Sequence, residues 1–183
     1  MMTDSHNTHL LDRIGRWALI VGSLAFGIFW ESALFDIDIP WLIALSIHGL
    51  SIATIAFGLI ILERSAATGG SSIGWSGVAL VIIGTFASFV LLAVGLSLVS
   101  VSLWIKPGWR AAPSVLVAGS IALVLSYLLG ARVGTEGAPD PSLGAAVLFG
   151  TAGFLIPLGL VLISAKQAAI ARSRGEGMST AHS

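Results

Sequence analysis

Five long apolar runs leave this chain few folds to choose from. They cover about Gly15–Phe35, Trp41–Leu62, Trp75–Trp104, Ala112–Gly130 and Leu143–Ala165. A helix that crosses a bilayer needs roughly 20 apolar residues at about 1.5 Å each, and each run is of that order or longer. Charged residues make up only 10% of the chain, against about 25% in a soluble domain, too few to cover a water-facing surface. The expected fold is all-α, a polytopic membrane helix bundle with five transmembrane helices. Its expected parts are a polar N-terminal tail over 1–14, the bundle over 15–165, and a basic, then polar, C-terminal tail over 166–183.

The third run exceeds one span yet is too short for two full spans with a turn, so it is expected to tilt or project from the membrane. Trp17, Trp41, Trp75 and Trp104 stand at run ends and Trp109 in the link after the third run. Amphipathic rings favour headgroup depth, so these five read as interface anchors. Trp30, one turn inside the first run, has no such explanation. The links are short and polar. Pro40 closes an acidic link, Phe35-DIDIP-Trp41, and suits a helix start. ERSAATGGSSIG from Glu63 and ARVGTEGAPDPSLG from Ala131 read as loops. The first run lacks a small-residue cleavage site after a short core, so it reads as a retained helix.

The nine basic and nine acidic residues balance, and no basic block is dense enough for nucleic acid. Absence of cysteine excludes disulfides, thiolate chemistry and cysteine-ligated metal centres. No phosphate-binding loop, zinc-protease motif or dinucleotide fingerprint is present. Ser97, Ser100 and Ser102 have no base beside them in sequence. No catalytic activity of its own is therefore expected, and no metal site: His6 and His9 lie in a free tail with Asp4 and Asp12.

Orientation follows from basic residues near the span ends. With five spans and the N-terminus inside, Arg13, Arg16, Arg64 and Arg132 face the cytoplasm, and Lys106, Arg110, Lys166, Arg172 and Arg174 face out. The acidic first link favours this N-in arrangement, whereas the basic C-terminal tail opposes it. Four spans, with one apolar stretch not crossing, is the alternative. The expected location is a prokaryotic cytoplasmic membrane with the N-terminus cytoplasmic.

One polar constellation stands out. Ser23, Gly27 and Glu31 share a face of the first helix; Ala44, His48 and Ser51 share a face of the next. A short turn makes these helices antiparallel neighbours, so a buried Glu31–His48 pair is a candidate site. Three readings stay open: Glu31 reaching to the headgroups with Asp36 and Asp38, a structural Glu–His bond, and a proton or ligand site. An intrachain bis-histidine haem would need a second membrane histidine, and the others lie in the tails. No cofactor of its own is expected; a haem, quinone or pigment shared with a partner stays open.

Small residues permit close helix contact in lipid. Ser114, Ala118, Ala122, Ser126 and Gly130 recur every fourth residue and form a stripe for packing within the chain or against a partner. Gly77, Gly84, Ser88 and Gly95 line one side of the third run. Ala146, Gly150 and Gly153 precede Pro157, which is expected to kink the last helix and free the Gly153 carbonyl. Packing stripes with few interior polar groups favour an accessory or structural subunit of a larger membrane complex. Such a subunit would stabilise its neighbours or close a lipid or cofactor boundary. Its expected partners are membrane lipids and other integral-membrane subunits or further copies of itself. The alternative is a small solute or proton-coupled transporter using Glu31 and His48.

Overall fold

The computed structural model describes residues 3–34, 40–65, 70–129 and 143–180. They form six helices: α1 (Thr3–Leu34), α2 (Trp41–Arg64), α3 (Ser72–Ala87), α4 (Phe89–Trp104), α5 (Ala111–Leu128) and α6 (Leu143–Thr180). There is no strand among the described residues. Four helices (α1, α2, α5 and α6) are long and apolar enough to cross a membrane. The chain is thus an all-α membrane bundle. Helix α1 already begins at Thr3 and α6 continues through Lys166 to Thr180, so the helices extend into both polar ends of the sequence.

The third apolar run does not form one tilted helix. It reverses at Ser88 into two helices of 16 residues each. At about 1.5 Å per residue each rises about 24 Å, short of the roughly 30 Å hydrocarbon core. Ser88 is extended, and its hydroxyl accepts the Val90 amide at 3.2 Å, capping α4 as α3 ends. Glycines then let the two helices close on each other. A Cβ on Gly77 would lie 2.7 Å from the Gly95 carbonyl oxygen and from the Val99 amide nitrogen, and one on Gly84 would collide with Leu92 backbone. The small side expected on a single helix is therefore folded onto itself as an antiparallel hairpin.

Each helix packs against its neighbours in sequence, and α1 closes the circuit against α6. Residues such as Leu19, Leu59, Leu96, Leu116, Ile156 and Leu160 fill the inside. The buried hydroxyls of Ser23, Ser51, Ser100, Ser120 and Ser126 donate to carbonyls three or four residues back in their own helices, the usual answer of serine in an apolar helix.

Six alternating helices bring one set of ends together. Ser164 Oγ on α6 donates to the Arg16 carbonyl on α1 at 3.1 Å. Ser102 near the end of α4 reaches Glu63 near the end of α2. Arg13, Arg16, Arg64, Lys106, Arg110, Lys166 and Arg172 consequently gather at one end of the bundle. Trp17, Trp75 and Trp104 are 60%, 39% and 49% exposed. Trp109 is not such an anchor: it is 3% exposed and joins the core beneath the α4–α5 turn. The side chain of Trp41 lies outside the described residues.

Candidate functional site

Glu31 lies on the flank of α1 that meets α6. Gly27, one turn earlier, sits beside Pro157, which lies within the continuous helix α6: a Cβ on Gly27 would stand 2.9 Å from Pro157 Cγ and 3.4 Å from the Gly153 carbonyl oxygen. A Cβ on Gly153 would lie 2.8 Å from Glu31 Oε1. The carboxyl group therefore rests against bare α6 backbone. Pro157 has no N–H to offer, so the Gly153 carbonyl loses its helical donor. Around these groups, Leu24, Ile28, Phe154 and Val161 help wall a cavity of about 570 Å³. It runs from Leu24 to Ser32 along α1, about 12 Å at helical rise, and opens on the outer side of the bundle, where Ile28 and Phe154 are 72% and 64% exposed. The result is an apolar groove holding two hydrogen-bond acceptors. It is suited to an apolar occupant that carries a donor.

His48 faces the other flank of α1, and no hydrogen bond or ion pair joins it to Glu31 among the described residues. At 100° per residue, Phe26 and Phe29 point toward α2, Gly27 and Glu31 toward α6, and Trp30 between them into the bundle. The His48 ring lies 5.2 Å from Phe29, 5.9 Å from Phe26 and 6.4 Å from Trp30 and Phe89. Trp30 in turn stacks on Phe149 at 4.5 Å and meets Phe89 edge-on at 5.2 Å. This explains the sixth tryptophan: it is the hub of an aromatic cluster fed by α1, α2, α4 and α6. Neither Trp30 Nε1 nor His48 Nδ1 has a hydrogen-bond partner among the described residues. Phe89 joins only because the chain reverses one residue earlier, which no spacing along the sequence announces.

At the opposite end lies an acid that the sequence places in a loop. Glu63 is 1% exposed. Ser102 Oγ donates to its Oε1 at 3.0 Å and the Ser71 amide to its Oε2 at 3.3 Å. The Gly70 amide donates to its carbonyl at 3.0 Å. Gly74 leaves the space the carboxyl fills; a Cβ there would overlap it. The group thus sits against the first turn of α3, where unsatisfied amides and the helix dipole favour an acidic side chain. One signal was available: an acid in the last turn of a helix opposes that helix's own dipole and needs an outside partner.

The fourfold stripe of α5 divides. Ala122 and Ser126 are buried, Ser114 and Ala118 are exposed, and Gly130 lies outside the described residues. Gly119 and Leu116 approach α6 closely: a Cβ on Gly119 would lie 2.9 Å from the Ile156 backbone nitrogen, and one on Gly159 would lie 2.9 Å from the Leu116 backbone. Gly150 is half-buried; Gly153 and Pro157 are buried against α1. No group of three or more histidine, aspartate or glutamate side chains converges on a metal position among the described residues. No known protein family matches the chain, and neither does any curated protein or solved structure.

Proposed function

We propose that this chain is a small accessory subunit of a larger membrane complex, without catalytic activity of its own, whose α1/α6 groove seats a helix of a neighbouring subunit. The single observation that carries this reading is Glu31. Its carboxyl belongs to the apolar stretch Leu10–Ser32 of α1, in a groove that opens outward, and no cation of the described residues pairs with it. An ionisable group facing lipid is costly, and a donor-bearing partner helix removes that cost. Exposed small residues support the same reading. Gly49 has open space where a side chain would be, and Ala53, Ser114 and Ala118 are exposed, so another helix can approach closely. A haem, quinone or pigment, if one is held, belongs to the boundary shared with that partner, since His48 is wrapped by this chain's own aromatic rings.

The location we propose is a prokaryotic cytoplasmic membrane, with both the start of α1 and the end of α6 in the cytoplasm. Seven cationic side chains at one end of the bundle support it through the positive-inside rule. The tail conflict of a five-span arrangement disappears, because the α3/α4 hairpin returns the chain to its starting side.

The absence of cysteine makes the test direct. Single cysteines at Ile28 and Phe154, bearing photo-crosslinkers, should capture one and the same membrane protein from both walls of the groove. Glu31→Leu should abolish both adducts. A chain that leaves a mild detergent as a stable monomer, and crosslinks only to lipid, would overturn the proposal.

A small solute or proton-coupled transporter is the second reading. What favours it is the nearness of Glu31 to the α6 backbone at Gly153, where Pro157 leaves a carbonyl without its helical donor, a polar spot of the kind transporters use. Liposomes containing the purified chain alone separate the two. Proton or solute flux lost in Glu31→Gln supports transport, and no flux supports the subunit.

A further inference from the structure

The α4–α5 turn carries a second site, unrelated to the groove. Lys106, Pro107, Gly108 and Arg110 wall a cavity of about 500 Å³ together with Trp104 and Ile105. Gly108 adopts φ 81°, a left-handed conformation that turns the chain within these few residues. Lys166 arrives from α6: its Nζ would lie 3.8 Å from a Cβ on Gly108. Three cations thus converge on one short turn. None of them forms an ion pair among the described residues, and Lys106 Nζ is buried with no hydrogen-bond partner there. Glu63, an acid at the same end of the bundle, already accepts from Ser102 and Ser71. Arg110 also borders an adjoining cavity of about 460 Å³, which continues along α4 past Ile105 and Trp104 to Val101. Those three apolar residues are 71%, 49% and 37% exposed.

From this juxtaposition we propose that the α4–α5 turn binds the headgroup of an anionic phospholipid. Lys106, Arg110 and Lys166 hold the phosphate, and an acyl chain lies along Ile105, Trp104 and Val101. The chemistry is complementary at both ends. A buried ammonium without a partner calls for an anion, arginine and lysine bind phosphate oxygens, and the contiguous apolar wall excludes a small hydrophilic anion as the natural occupant. Basic pockets between membrane helices at the cytoplasmic face take such headgroups, and that leaflet carries the anionic lipid. The site stands whether the α1/α6 groove seats a partner helix or serves transport.

The test is native mass spectrometry of the full-length detergent-solubilised chain, titrated with phosphatidylglycerol, with phosphatidylcholine, and with inorganic phosphate as competitor. Phosphatidylglycerol should bind at least about tenfold more tightly than phosphatidylcholine. Lys106→Gln with Arg110→Gln should remove that preference, and Lys166→Gln should weaken it even if the double variant fails to fold. Arg172→Gln, a cation of the same helix about 1.7 turns beyond Lys166, should leave it intact. Equal affinity for the two lipids, or an equal loss in Arg172→Gln, would overturn the site. Displacement of the lipid by millimolar inorganic phosphate would overturn its assignment to a lipid.

Discussion

At the scale of single residues, Glu31 and Glu63 exchange the roles their positions in the sequence advertise. Glu31 sits inside an apolar run and draws attention, yet it finds no hydrogen-bond or ion-pair partner among the described residues. Glu63 ends a run, looks like a solvated loop residue, and is buried with two donors. Ser102→Ala should therefore destabilise the fold by about 1–3 kcal/mol, because it leaves a buried carboxyl oxygen without its hydroxyl donor. Gly74→Ala should cost a comparable amount, since the methyl group occupies the carboxyl's space. His48→Leu should change stability by less than about 1 kcal/mol, because His48 Nδ1 has no hydrogen bond to lose among the described residues. Reversible unfolding in mixed micelles measures all three. A His48→Leu variant as damaged as Ser102→Ala would mean that the histidine has a partner after all.

The helices themselves were legible wherever one apolar run makes one helix. Runs one, two, four and five appear as α1, α2, α5 and α6, because length and apolarity alone decide them. The third run was not legible. Its reversal depends on Ser88, a residue that in most apolar helices bonds back to its own turn, and on glycines whose use appears only when two helices meet. The candidate site was half legible for the same kind of reason. Gly27, Glu31, Gly153 and Pro157 were each visible, but the partner of Glu31 depends on which flank of α1 meets which helix. Short loops favour α2 for that role, whereas the ring closure with α6 decides it. Spin labels at Ile73 and Ile105 test the hairpin, since both side chains are exposed. One continuous helix would hold them about 48 Å apart; the hairpin should hold them within about 25 Å. Gly84→Leu should abolish the short distance, because its side chain would meet Leu92 backbone.

For the whole molecule, the even alternation of helices makes a topological prediction that five spans do not share. Reporters after Gly70, Gly108 and Ser179 should lie in the cytoplasm, and one after Gly137 should lie outside. Five spans with the same starting side would reverse the last three in order: Gly108 out, Gly137 in, Ser179 out. The first pattern follows from the orientation proposed above, which rests on the seven cationic side chains at one end of the bundle.

The clasp on Glu63 also has a consequence for how the protein is made. Its hydroxyl donor, Ser102, is 39 residues downstream. While the ribosome is still producing α3, the acid at the end of α2 lacks that donor, and it is best accommodated by the water of the insertion channel or the membrane surface. Only when α4 has emerged and folded back can the carboxyl be enclosed. The expected order of biogenesis is therefore α1 and α2 loosely inserted, the α3/α4 pair entering as one unit and drawing Glu63 under cover, and α5 and α6 last, sealing the wall against α1. A nascent chain halted before Ser102 should remain extractable from the membrane by conditions that leave the finished protein in place.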